Sequence, residues 1–154
     1  MEIASYITGF VDGEGSFLVS FSKREKMILH LEVRPSFTVS QHQRSKKVLF
    51  TLQEYFNCGT IRFNKSDETW KYEVRSLDNL LEKIIPHFEK FSLQTSKAQD
   101  FESFKEVCQL MRQKHHLSVN GIHSIIECAF KMNNLGARIY TKEILLRIVG
   151  KMKV

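Results

Sequence analysis

The stretch Ile7-Thr8-Gly9-Phe10-Val11-Asp12-Gly13-Glu14-Gly15-Ser16 constrains this chain more than any other. A helix leads into it, because Ile3, Tyr6, Ile7, Phe10 and Val11 repeat at helical spacing. Gly13 and Gly15 suit its end and a sharp exit. Gly9 and Gly13 lie four apart, on one face of that helix. A bare glycine pair lets a second backbone approach closely. The expected contact is a second copy of the helix, with Ile7, Gly9, Phe10 and Gly13 at the interface. Glu14 follows at the C-terminal end, so two packed copies bring two carboxylates face to face. Like charges that close repel unless a proton or a metal ion intervenes. The helix C-termini add partial negative charge and favour a cation. The sequence predicts a helix-dimer seam ending in a divalent-metal site.

Beyond the helix the pattern changes to period two. Phe17, Val19 and Phe21 alternate with a mostly polar set that includes Ser20 and Ser22, and the turn Lys23 to Lys26 brings Arg24. A long strand follows over Ile28 to Gln41, with Leu29, Leu31, Val33, Pro35, Phe37 and Val39 inward. His30, Glu32, Arg34, Ser36, Thr38 and Ser40 are on its other face. Pro35 predicts an edge position or a bulge, since it cannot donate to a ladder. Ser45 is placed as the cap of a helix reaching about Phe56. A second hairpin turns Ile61, Phe63, Trp70, Tyr72 and Val74 inward, and Thr60, Arg62, Asn64, Lys71, Glu73 and Arg75 outward. A helix from Ser76 is expected to stop before Pro86. The result is αββαββα, an α+β fold with four antiparallel strands and helices on one face. The other face offers a mixture of donors and acceptors able to read base edges, on a ribbon that fits the major groove.

Residues from Ser92 onward read as helical. Phe101, Phe104, Val107, Cys108 and Met111 form one stripe, and Ile122, Ile125, Ile126, Ala129 and Met132 another. A break at Asn133-Asn134-Leu135-Gly136 precedes a short basic helix from about Thr141. The 154 residues suit one domain, residues 1–154. The formal charge of +6 is scattered over folded segments and suits a polyanion. Cys58, Cys108 and Cys128 are odd in number and widely spaced, fitting neither a disulfide framework nor a zinc site. Neither a signal peptide nor a membrane span is expected. His115-His116 is placed at a helix end or turn rather than as a metal pair.

The opening stretch resembles the signature of the LAGLIDADG homing endonucleases. Three further segments resemble the family in order: Pro35-Ser36-Phe37-Thr38-Val39-Ser40-Gln41, the end of its second strand; Phe91-Ser92-Leu93-Gln94-Thr95-Ser96-Lys97, with L-x-T-x-K; and His116-Leu117-Ser118-Val119-Asn120-Gly121-Ile122. The resemblance implies a saddle-shaped sheet along the major groove and metal-dependent hydrolysis of both DNA strands across the minor groove. One motif per chain implies a homodimer on a near-palindromic target. It makes Glu14 the metal-binding acid, aided by the Gly13 carbonyl. Hard oxygen ligands suit Mg²⁺, with Mn²⁺ or Ca²⁺ as substitutes and no small-molecule cofactor. Gln41 corresponds to the residue that orients water, and Lys97 to the base that stabilises phosphate charge. Some members carry Lys where this chain has Gln94, so Lys97 and Gln94 both stand as candidates for that role. Asp12 reads as structural or helix-capping. An intracellular setting is implied, in an organelle (chloroplast or mitochondrion) or a prokaryotic cytoplasm. An RNA-splicing maturase, a non-cleaving DNA-binding relative and a transcription regulator are the alternatives on the same scaffold.

Overall fold

The computed structural model describes residues 2–132 and 140–150. The break expected at Asn133-Asn134-Leu135-Gly136 lies outside them. In chain order the elements are α1 (Ile3–Glu14), β1 (Gly15–Lys23), β2 (Leu31–His42), α2 (Lys47–Phe56), β3 (Thr60–Asn64), β4 (Thr69–Val74), α3 (Leu77–Asn79), α4 (Ile85–Lys90), α5 (Lys97–Arg112), α6 (Val119–Phe130) and α7 (Lys142–Gly150). The strands form one sheet in the order β1-β2-β4-β3. β4 runs antiparallel to both neighbours, with Thr38 opposite Glu73 and Glu73 opposite Thr60. The αββαββα reading and the four-stranded antiparallel sheet therefore hold. Contacts group the chain into two compact units, Met1–Leu18 with Ser36–Ala98, and Val19–Pro35 with Gln99–Val154.

The first unit is organised around Phe37 of β2, which is wholly buried. Its ring meets Phe17 of β1 at 5.3 Å, Phe88 of α4 at 5.8 Å, Phe56 of α2 at 6.0 Å and Tyr72 of β4 at 6.2 Å. Such aromatic pairs contribute about 0.5–1.5 kcal/mol each beyond area burial. Ile7 and Val11 of α1, Leu49 and Leu52 of α2, and Leu80 and Ile84 complete the layer beneath the strands. The period-two and helical patterns foretold this core because each apolar stripe has one face to bury.

Three local expectations fail here for identifiable reasons. Ser45 falls in a 3-10 turn, Gln43–Ser45, and α2 starts behind Lys46 without a side-chain cap. The helix from Ser76 does not stop at Pro86. A π turn over Leu80–Ile84 intervenes, and the Ile85 N–H reaches back to Leu80 O. The wider turn lets the helix continue through Pro86, which lacks a donor of its own. Phe91–Ser96, expected to be partly helical, is instead a loop.

In the second unit, Val19 and Phe21 of β1 and Leu31 and Val33 of β2 are buried, as are Phe104, Val107 and Cys108 of α5. Ile122, Ile125 and Ile126 of α6 and Leu145 and Val149 of α7 are buried as well. α6 and α7 pack together, with Lys142 paired to Glu127 at 2.7 Å. The expected strand start at Ile28 is a turn. Met27 N–H bonds Arg24 O, His30 N–H bonds Met27 O, and His30 takes a left-handed φ of 56°. Pro35 lies beyond the stretch of β2 that pairs with β4, which begins at Phe37. Its missing donor therefore removes no bond from that ladder.

Candidate active site

α1 ends and β1 begins without a loop because residue 15 is glycine. A Cβ there would come 2.7 Å from Val11 Cγ1 and 3.0 Å from Val11 O. The Gly15 N–H caps the helix on Val11 O. Glu14 is thereby held at the seam between helix and strand, with its side chain exposed. Gln41 of β2 donates from Nε2 to Glu14 Oε2 at 3.1 Å. The structure brings these two predicted residues together, although they are 27 positions apart in sequence.

Asp12 and Lys97 both brace this corner. Asp12 accepts from Gln94 N at 2.7 Å, from Thr95 N at 3.1 and 3.2 Å, and from Thr95 Oγ1 at 2.6 Å. Partial burial works to raise its pKa, but the Thr95 hydroxyl, the Gln94 and Thr95 amides and the Lys97 charge outweigh it and hold Asp12 below the usual carboxylate range. Lys97, the first residue of α5, reaches back to α1. Its Nζ donates to Val11 O at 2.8 Å and to Asp12 O at 3.0 Å. A cation on the last carbonyls of a helix offsets its negative end. Lys97, expected as the basic residue that stabilises phosphate charge, here places its ammonium on the α1 backbone. Gln94, the other candidate, turns its amide onto Ser92 O at 3.0 Å.

Gly9 and Gly13 are exposed on α1, and a Cβ added at either would meet nothing within 4 Å. Phe10 beside them is half-buried and stacks on Tyr6 at 6.3 Å. Ile7 is a correction to the expected interface set. It is completely buried on the opposite face, with Thr8 and Val11, because the helical repeat that placed it beside the glycines in sequence turns it inward.

The polar face of the sheet is uneven. In the first unit Ser40, Thr60, Arg62, Asn64, Lys71 and Arg75 are exposed. Ser36, Thr38 and Glu73, expected there as readers, are buried. Arg62 and Arg75 both pair with Glu73, at 2.7 and 3.2 Å. The Asn64 carbonyl accepts from Ser66 N and Ser66 Oγ, so that side chain closes the hairpin. In the second unit Ser20 is exposed and donates to Arg34 O at 3.3 Å. Ser22 and Arg34 are half-buried. Arg24 and Glu32 neutralise one another at 2.8 Å. His30, counted among the strand readers, belongs to the turn and approaches Glu25 O at 3.1 Å.

One buried group escaped the sequence reading. His87 contacts Thr8 Oγ1 at 2.9 Å through Nε2 and the Tyr55 hydroxyl at 3.0 Å through Nδ1. It ties α1, α2 and α4 together, and burial lowers its pKa to about 4. It follows the π turn and Pro86 in the chain, a local geometry that a period count does not show. His115 and His116 fall in a 3-10 turn, as expected. Among the described residues no three His, Cys, Asp or Glu side chains gather as a metal set.

The model of the LAGLIDADG endonuclease family matches residues 7–108. The chain belongs to this family. A probable intron-encoded endonuclease of Neurospora crassa is 34% identical over 84% of the chain, and this LAGLIDADG chain covers 29% of that protein. It covers 24% of a second such Neurospora protein, so it spans under a third of both. Among solved structures, the homing endonuclease I-TnaI superposes with a TM-score of 0.84 at 33% identity, covering 97% of each chain. The archaeal intron-encoded homing endonuclease I-Vdi141I, complexed with DNA, gives 0.89 at 26% identity and covers 97% of this chain and 96% of that one. The residues of this corner, from Ile7 to Lys97 and including Gln41, all fall inside the matched segment.

Proposed function

We propose that this chain is a site-specific double-strand DNA endonuclease that acts as a homodimer on a near-palindromic target. The observation that carries the reading is the exposed Glu14 carboxylate, held by Gln41 at the foot of a helix whose Gly9–Gly13 face is open. A protomer contributes one acid to that corner, and cutting two strands needs two. Packing α1 against its copy through the glycines joins the two corners and supplies both.

The donor set there is oxygen, a carboxylate and the carbonyl end of a helix, which suits a hard divalent cation. Glu14 and the Gly13 carbonyl are the groups that would hold Mg²⁺, with Mn²⁺ or Ca²⁺ as substitutes. A bound divalent ion supplies Lewis-acid polarisation of a phosphate oxygen and a water of lowered pKa. Gln41 fixes the Glu14 carboxylate and offers its amide to order water. Lys97 and Asp12 tie the carbonyl end of α1 to the loop that carries Gln94 and Thr95, which holds Glu14 at the corner where two protomers would meet. Exposed side chains of the sheet face, Ser20, Ser40, Thr60, Arg62, Lys71 and Arg75 among them, face the DNA. Because its target is genomic DNA, the protein works inside a cell, in an organelle or a prokaryotic cytoplasm.

The test is Glu14→Gln on a target recovered by selection from a randomised duplex library in Mg²⁺. Cleavage should vanish while affinity for the duplex is kept or increased. Equal nicking by both proteins would remove Glu14 from the chemistry. Binding without cleavage by the wild type would favour a non-cleaving relative instead.

A further inference from the structure

The sheet face of the first unit holds a carboxylate that cleavage does not use. Glu73 is 7% exposed, in the middle row of β4, between Thr38 of β2 and Thr60 of β3. Its Oε1 accepts from Arg62 Nη2 at 2.7 Å and forms an ion pair with Arg75 Nε at 3.2 Å. The two arginine side chains stay 66% and 54% exposed. Among the described residues nothing else engages their remaining N–H groups. Gly59, Thr60, Ser76 and Asn79 line a hollow of about 500 Å³ around the three charged groups.

An acid on a surface meant for a polyanion is repulsive unless it serves another group. At this burial Glu73 cannot reach a base edge, so its value lies in what it holds. An arginine that must be ordered on binding loses roughly 2 kcal/mol of rotamer entropy. Ordering it beforehand moves that cost into folding. Arg75, paired through Nε, keeps both terminal nitrogens for a ligand, and Arg62 keeps its second Nη and one N–H of the first. That is the fork geometry that pairs with O6 and N7 of guanine. Both contacts end on the same oxygen, so the two nitrogens lie no further apart than the two distances laid end to end, which is under two base-pair steps of roughly 3.4 Å.

We propose that Glu73 is a positioning residue for sequence discrimination, presetting Arg62 and Arg75 as neighbouring forks for two adjacent G·C pairs in each half-site. This rests on the reading of the chain as a DNA endonuclease. A phosphate clamp would not need the preset fork, because a phosphate accepts from many directions and Lys serves as well.

The experiment compares base-preference profiles from a randomised half-site library for wild type, Glu73→Gln, the Arg62→Lys/Arg75→Lys double variant and the triple variant. Gln preserves the volume of Glu and removes its charge, while Lys keeps the positive charge and removes the fork. Wild type should prefer guanine in two adjacent columns. Glu73→Gln should flatten those columns about five- to tenfold, leaving the rest of the profile and the salt slope unchanged. The double variant should flatten the same columns, and the triple variant should add nothing. Unchanged columns in Glu73→Gln, flattening of every column, or a uniform loss of affinity with a smaller salt slope would each overturn the proposal. If Glu73→Gln does not fold, the exposed lysine variant decides alone. A wild type that binds and cuts no duplex overturns the endonuclease reading instead, so the two failures are distinct.

Discussion

Adding a methyl group at Gly9 should push folding and assembly in opposite directions. Gly9 lies inside α1, and a Cβ there meets nothing within 4 Å in the protomer. Alanine in place of glycine within a helix gains about 0.5–1 kcal/mol, from backbone entropy lost less on folding. Gly9→Ala should therefore raise the stability of the isolated protomer. At the proposed seam the same methyl enters a close backbone contact. Overpacking a tight contact costs about 1–3 kcal/mol per site, and symmetry makes every site count twice. Dimer dissociation should become easier by roughly 2–6 kcal/mol, about 30-fold to more than 10,000-fold. Sedimentation velocity over a dilution series reads the dissociation constant. Urea melts at concentrations where the protomer dominates read the folding term. Gly13→Ala should weaken the dimer in the same way, with a smaller folding gain because it lies in the last turn. A dissociation constant within about threefold of wild type for both variants would refute the glycine seam, since that change is under 1 kcal/mol.

Two further outcomes follow from the corner and its support. Lys97→Met should lower stability by about 1–2 kcal/mol and cleavage with it, because two α1 carbonyls lose their cation; reduced cleavage at unchanged urea stability would assign Lys97 to the phosphate instead. His87 should make the fold acid-sensitive: its pKa falls from 6.5 to about 4 on burial, so its contribution is complete above about pH 6.5 and is lost as pH drops toward 4, where the unfolded chain takes a proton the folded one refuses. The loss is roughly 3 kcal/mol. Urea titrations from pH 7 to 4 on wild type and His87→Gln should show that slope only in the wild type, and parallel curves would contradict it.

The parts of the fold legible in the sequence are those where one periodicity acts alone. Phe17, Phe37, Tyr72 and Val74 fell on the buried face because strand alternation leaves no other arrangement with a helix layer on one side. Burial departed from the pattern where a second constraint entered. Ile7 shares a helix with Gly9 and Gly13, yet two residues before Gly9 is the far side of the helix; spacing of three or four, not proximity, decides a face. Glu73 alternates outward as expected but is covered by side chains from Arg62 and Arg75, a tertiary effect no single strand encodes. His30 reads as strand by alternation and is claimed by the turn bonds around it. The helix through Pro86 needed a π turn, a long-range compromise between the α3–α4 segment and the layer it packs in.

The candidate site shows why a short signature can specify so much. Among the described residues Glu14 makes one side-chain hydrogen bond, from Gln41. Its placement is set by its neighbours: Gly15 removes the loop, Gly9 and Gly13 leave that helix face bare, and Asp12 reaches 82 and 83 positions ahead to Gln94 and Thr95. Thr95 answers in two directions, donating to Asp12 and accepting from Lys97 N at 3.2 Å, while Lys97 returns to α1. L-x-T-x-K thus meets the helix signature, with one hydroxyl on the Asp12 carboxylate and one ammonium on the Val11 and Asp12 carbonyls. Gly121 in the third segment has a related origin: a Cβ there would overlap His115 O, while Ser118 caps α6 through Gly121 N. Gly15 and Gly121 are the positions where the backbone leaves no room for a Cβ, while the Glu14 carboxylate is left exposed.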